Sequence, residues 1–192
     1  MCSAAFARVA DHFACYMVPI LVGEGGSTLT NDPCDRGGVT IYGITEATAR
    51  ACGYLGPMAD MTEAAALGIY RMKFWAGPAF DKIDEIHPAL AEYLLNIGIN
   101  RGPERTSSNL QRALNVLNNA GAAYKTIEVD GHLGPQSLAA LKSYRALRKG
   151  PGDLVMLGVM RALTAADYVA IAEADPSQAK FEYGWLRRAL SV

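Results

Sequence analysis

From Thr45 to the C-terminus the sequence is a succession of apolar segments at helical spacing, each stopped by Gly, Pro or Asp, and this rhythm excludes a sheet-built fold. "ITEATARACGY" opens on Thr45, an N-cap residue type, and ends at Gly53. "MTEAAALGIYRMKFWAG" offers Thr62 as its cap and an apolar face through Ala66, Ile69, Tyr70, Phe74 and Trp75. "HPALAEYLLNIGINRG" begins with a proline suited to a first helical turn and closes at Gly102. Four more segments follow in the same manner: "ERTSSNLQRALNVLNNAG", "GPQSLAALKSYRALRKG", "GDLVMLGVMRALTAADYVAIAEAD" and "PSQAKFEYGWLRRALSV". Upstream, Phe6, Val9, Phe13, Met17 and Ile20/Leu21 mark one more amphipathic helix, with Pro19 near its end. The predicted fold is mainly α, with a short β-hairpin near residues 27–43.

A chain of 192 residues with 51% hydrophobic content can bury one substantial core, or a core plus a small module. No low-complexity tract or long linker interrupts it, so two tightly packed regions are expected, residues 1–102 and 103–192. The formal net charge of −1 provides no basic field, which argues against a nucleic-acid partner. The N-terminal stretch lacks 18 consecutive apolar residues and carries Arg8, Asp11 and His12, so the expectation is cytoplasmic synthesis without a secretion signal, a monomer, and no stable membrane insertion. Cys2, Cys15, Cys34 and Cys52 match neither a zinc nor a CxxC spacing and are read as free, mostly buried thiols. His12, His87 and His132 are scattered, without HExxH, so no metal site and no cofactor are expected.

The stretch "GEGGSTLTNDPCDRGGVTIYGIT", residues 23–45, departs from the helical rhythm. Glu24 follows the apolar run "MVPILVG", where helix packing meets a cleft. Partial desolvation there raises a carboxyl pKa, which suits a general acid. Gly25 and Gly26 leave room for a bulky substrate, and Asp32 and Asp35 follow on a loop that can return toward the helix end. Glycoside hydrolysis requires such a pair: an acid for the leaving oxygen and a second group to activate water or stabilise positive charge. Thr40 can position a water. Taken alone, Asp-Pro and Gly-Gly are also ordinary turn chemistry, and the aspartates can serve simply as acceptors for backbone N–H groups.

The stretch "EGGSTLTNDPCDRGGVTIYGIT" resembles the signature of glycoside hydrolase family 108, phage and bacterial N-acetylmuramidases: EGG, then Asn-Asp-Pro-x-Asp, Gly-Gly, and Thr-x-x-Gly-Ile-Thr. "NIGINRGPERTSSNLQRALN" is similar to the family's next segment, and "VDGHLGPQSLAAL" to its C-terminal peptidoglycan-binding region. The resemblance implies a lysozyme-like fold, Glu24 as catalytic acid, and Asp32 or Asp35 as its partner. It implies Gly25, Gly26, Tyr42, Asn96 and Asn100 as substrate-binding residues and peptidoglycan glycan strands as the partner. An endolysin of this type is released by a separate holin-like pore and acts in the periplasm or cell wall. Carboxyl separation sets the outcome: roughly 6.5–9.5 Å for inversion, about 5 Å for retention. Two positions depart from the family pattern, Ser27 in place of a tyrosine and Asn96 in place of an aspartate. They are what a non-catalytic peptidoglycan-binding protein retaining the fold would show, the alternative reading.

In the C-terminal region, Val129-Asp130-Gly131 and Gly134-Pro135 are turn and helix-start signals, in the Leu-Gln, Asp-Gly, Gly-Pro order of small peptidoglycan-binding modules. Phe181, Trp185 and Leu186 share one helical face, which favours a core role for Trp185 over a sugar platform, and Arg187 and Arg188 read as a solvated helix end.

Overall fold

The computed structural model describes residues 12–23, 27–30 and 39–190. The chain divides into two compact units, Met1–Trp75 and Ala76–Val192.

In the first unit, α1 (His12–Gly23) buries Phe13, Met17 and Leu21, the i, i+4, i+8 stripe expected of it. The upstream positions Phe6 and Val9 lie outside the described residues. Trp75 packs on this stripe, its ring centroid 5.7 Å from that of Phe13 and 5.9 Å from that of Tyr16. The Arg71 guanidinium sits 4.4 Å above the Phe13 ring. Two short antiparallel strands follow, β1 (Thr40–Ile41) and β2 (Ile44–Thr45), with the buried Ile41 and Ile44 opposite one another. Thr30 adds a bridge to the outer side of Thr40, with backbone N–H···O bonds of 2.8 Å in both directions. The pairing therefore runs beyond the expected 27–43 span and reverses at Tyr42–Gly43. Both turn residues have positive φ, 51° and 71°, the pattern of a two-residue hairpin whose twist matches its strands.

α2 (Glu46–Ala51) is capped as expected by Thr45, whose hydroxyl accepts from Thr48 N at 3.3 Å, and it gives way at Gly53 (φ 84°). α3 (Glu63–Tyr70) is capped by Thr62, accepting from Ala65 N at 3.2 Å, and runs into a π-helical turn, Arg71–Ala76. Ala66, Ile69, Tyr70 and Trp75 are buried, and Phe74 is half-buried. Cys15 and Cys52 are free thiols, but Cys15 is exposed, because α1 turns that face away from its apolar stripe; Cys2 and Cys34 lie outside the described residues.

The second unit is built of helices joined by loops: α4 (Phe80–Asp84), α5 (Pro88–Arg101), α6 (Pro103–Leu117), α7 (Pro135–Ala174) and α8 (Ala179–Leu190). Pro88 occupies the first turn of α5, and the cap is His87, whose Nδ1 accepts from Leu90 N at 3.3 Å. The core is made by Leu90, Leu94, Ile97, Leu110, Leu114, Leu141 and Met160. The sequence predicts two helices on either side of Gly150. The structure has them: Lys149 (φ 51°, ψ −154°) is non-helical just before Gly150-Pro151, so that α7 is two helices meeting at a kink. Tyr144 Oη, donating 2.7 Å to Gly152 O, ties the two sides of the break. α7 has the length and composition to cross a membrane, yet it carries Arg161 and Asp167 and buries Met156, Met160, Tyr168 and Asp167 within this unit.

Two ion pairs link distant helical residues. Arg145 forks onto Asp153 (Nε to Oδ1 2.9 Å, Nη2 to Oδ2 2.8 Å) while its Nη1 donates to Ile86 O. Asp167 accepts from Arg105 Nε at 2.9 Å, from Arg105 Nη2, and from Asn109 Nδ2 at 2.8 Å. Burial pushes the Asp167 carboxyl up, but the Arg105 and Asn109 donors outweigh it and hold the group below its ordinary 3.8. The Arg145 guanidinium likewise holds Asp153 below 3.8, and burial depresses His87 from 6.5 despite Asp153 nearby. All three shifts have the same sign in linkage: the unfolded chain takes up protons before the folded one does, so stability falls with falling pH. Acidification should therefore lower Tm first below about pH 6.5, through His87, and again below about pH 4, through Asp153 and Asp167. Circular dichroism melts at pH 7.5, 5.5 and 3.5 test this; a Tm that holds constant or rises on going to pH 5.5 contradicts it.

Candidate active site

α1 ends at Gly23, and Glu24 is the next residue in the chain; Glu24, Gly25, Gly26, Asp32 and Asp35 lie outside the described residues. What the structure describes is the frame on either side of them. The C-terminal half of α1 forms one wall of a cavity of about 480 Å³, through Met17, Val18 and Leu21. The remaining lining includes Ser27, just past the two glycines, together with Tyr42 at the hairpin turn and Glu63 and Leu67 on α3. A volume of this size falls in the range of ligand pockets, which combine mostly apolar walls with a few polar groups.

Thr40 is half-buried at the centre of this frame's backbone pairing, bridged to Thr30 on one side and to Thr45 on the other. The Thr30–Thr40 bridge fastens together both ends of the chain that carries Asp32 and Asp35. Tyr42 is held in a left-handed conformation that an L-residue with a bulky side chain adopts only at a cost of about 1–2 kcal/mol. Tyr70 Oη secures it by donating to Tyr42 O at 2.9 Å, and the side chain lines the cavity. Asn, Asp or Gly would fit this turn without that cost.

Asn96 and Asn100 lie one turn apart on α5, in the second unit. Asn100 Nδ2 donates to Asn96 O at 2.9 Å, and Asn100 Oδ1 accepts from Arg188 Nη1 at the surface. Asn96 Oδ1 is buried without a hydrogen-bond partner among the described residues. The structure thus brings Thr40 and Tyr42 together on one hairpin and Asn96 and Asn100 together on one helix. Trp185 is half-buried and stacked between Tyr168 and Phe181, with centroids 5.4 and 5.9 Å away, an intermediate between the core and platform roles.

Sequence reasoning passed over Glu63. A glutamate directly after a threonine cap looks like helix-dipole chemistry, and nothing local signals that it faces a cavity. It also passed over Gln111, buried on α6, which binds Asp130 Oδ1 at 2.7 Å and His132 O at 3.0 Å and accepts from Gly131 N at 2.8 Å. The Leu-Gln and Asp-Gly signals in the sequence are two halves of this one tie. Gly131 is required there: its φ is 79°, and a Cβ would stand 2.7 Å from Glu104 Cγ.

No curated protein matches the sequence. A solved structure of SagA from Brucella abortus superposes with a TM-score of 0.65 at 25% identity, over 92% of this chain and 88% of that one. Residues 17–102 match the model for glycosyl hydrolase 108, and residues 105–190 the model for a predicted peptidoglycan domain. The frame on either side of the EGG stretch lies inside the first match and the Gln111 tie inside the second: the chain carries a glycosyl hydrolase 108 domain, and with it a glycoside hydrolase of lysozyme-like, mainly α fold, followed by a predicted peptidoglycan domain.

Proposed function

We propose that the protein is an N-acetylmuramidase that cleaves the β-1,4 bond between N-acetylmuramic acid and N-acetylglucosamine in peptidoglycan. The observation that supports this reading is the cavity walled by the end of α1, just before the EGG stretch in the chain, and lined by Ser27 and Tyr42, which follow that stretch, within the residues that match glycosyl hydrolase 108. In this mechanism Glu24 gives its proton to the glycosidic oxygen as positive charge develops on the sugar, and Asp32 or Asp35 stabilises that charge or directs water held by Thr40. Gly25 and Gly26 admit the sugar, Tyr42 offers it a ring face, and Asn96 and Asn100 contribute polar contacts. Residues 1–102 carry the chemistry and 103–192 hold the wall polymer. The chain fits an endolysin, made in the cytoplasm, released through a separate holin-like pore, and acting as a monomer on the cell wall.

Digestion of purified peptidoglycan followed by borohydride reduction and mass spectrometry tests the bond assignment. Reduced muramic acid at the new ends supports it; reduced glucosamine, or anhydromuramic ends, replaces it with a different cleavage.

Tyr42→Asn separates ring from strain. The change should keep Tm equal or raise it, by up to about 1–2 kcal/mol of relieved strain, while lowering kcat/KM about tenfold through the missing ring. Unchanged kcat/KM would remove Tyr42 from the substrate site.

A further inference from the structure

We propose that the C-terminal region binds the peptide stem of peptidoglycan, rather than its sugars, in a groove between residues 124–132 and the start of α7. The inference rests on peptidoglycan being the polymer this enzyme acts on.

Residues 118–134 connect α6 to α7 without helix or strand. Connections longer than about 12–15 residues in compact domains are either functional or disordered. This one is ordered by side chains, since its backbone has no ladder. Asn115 on α6 mimics a strand neighbour, donating from Nδ2 to Ile127 O at 2.8 Å and accepting from Ile127 N at 2.9 Å. Asn118 Nδ2 donates to Thr126 Oγ1 at 3.0 Å, and Tyr124 Oη to Leu114 O at 2.8 Å. Gln111 anchors the far end as described above. A mere connection has no need of four polar side chains to hold it in one shape; a preformed wall does, because ordering before binding removes an entropic penalty from association.

Two adjoining cavities open along this wall, of about 340 and 230 Å³, and Ile127 and Gln136 line both. The larger also has Lys125, Thr126 and Ser143 in its lining; the smaller has Glu128, Asp130 and His132. The groove is therefore cationic at one end and acidic at the other, with hydroxyl and amide groups between. The sugars of the glycan are uncharged where the muramic carboxyl is amidated by its stem, and would leave both ends of the groove without ionic partners. A peptide stem carries free carboxylates and, where its third residue is a diamino acid, an ammonium group, which matches the groove at both ends. The one aromatic in the groove, Tyr124, has its hydroxyl committed to Leu114 O, and its half-buried ring makes a poor open stacking platform.

The test uses the full chain and isothermal titration calorimetry with the free stem tetrapeptide containing a diamino acid, with and without excess chitotetraose. Saturable binding of the peptide that the sugar does not displace is expected. Lys125→Glu, at an exposed position, should weaken it by about tenfold while leaving turnover on peptide-free glycan unchanged. Gln136→Ala serves as the second variant and should also weaken binding. Absence of peptide binding, displacement by chitotetraose, or binding unchanged in both variants overturns the proposal. Muramic-end release is measured on the same preparations: release without stem binding defeats this inference alone, and stem binding without release defeats the muramidase reading alone.

Discussion

Glu24→Gln should leave the chain folded and lower the release of reducing ends from peptidoglycan by about 10²- to 10⁴-fold, the range a positioned general acid supplies. Glutamine is nearly isosteric with glutamic acid but has no transferable proton, so the leaving oxygen must depart as an alkoxide. Binding to the wall polymer should persist, because neither Gly25-Gly26 nor the cavity lining changes. Superimposable far-UV circular dichroism for the two proteins, together with pelleting of both on insoluble peptidoglycan, isolates the chemical step. A variant that retains more than about a tenth of wild-type turnover would transfer the acid role to another carboxyl, and Glu63, which shares the cavity with Tyr42, is the first to test.

Asp167→Ala should destabilise the protein by about 3 kcal/mol, within the range for breaking a buried charged network by removing one partner. Asp167 is 8% exposed and Asn109 2%. Truncating the carboxylate leaves the Asn109 amide without its acceptor inside the core and Arg105 without its fork partner. Asp167 sits on α7 and both of its partners on α6, so the same change removes the polar tie between those helices. For a chain of this size the drop in Tm is roughly 6–12 °C, readable in a thermal melt at neutral pH. Asp167→Asn keeps an acceptor and should fall between the two. A shift under about 2 °C for the alanine variant would mean that water replaces the carboxylate and that the tie contributes little.

What could be read in the sequence divides by range. Thr45 and Thr62 announce their helices because a cap acts within three residues, and Pro88 announces its own as a first-turn residue; the structure has the two threonines as caps and Pro88 in the first turn. The stripe Phe13, Met17, Leu21 was legible for the same reason. The Asp167–Arg105 pair spans 62 positions, and no local pattern distinguishes these residues from the other charges on their helices. The π turn after Tyr70 was illegible for another reason: no local signal distinguishes it from the α-helix it continues. Gly150-Pro151 is a valid stop signal, by contrast, and the structure follows it with the non-helical Lys149, while Tyr144 reaching Gly152 ties the helices on either side. In the site, the motif located Glu24 through its neighbours in the chain. Glu63 comes to the cavity beside Tyr42 from α3, through the tertiary fold, which the motif does not encode.

The Thr30–Thr40 bridge has an evolutionary consequence. A segment clamped at both ends behaves as a cassette: residues can be inserted or deleted between the clamps without shifting what lies outside them, and each doubling of loop length adds only about 0.6 kcal/mol of closure entropy. Thr40, Tyr42 and the cavity wall would stay in register while the stretch bearing Asp32 and Asp35 changed length or composition. Variation in that stretch is thereby uncoupled from the hairpin and the cavity it borders.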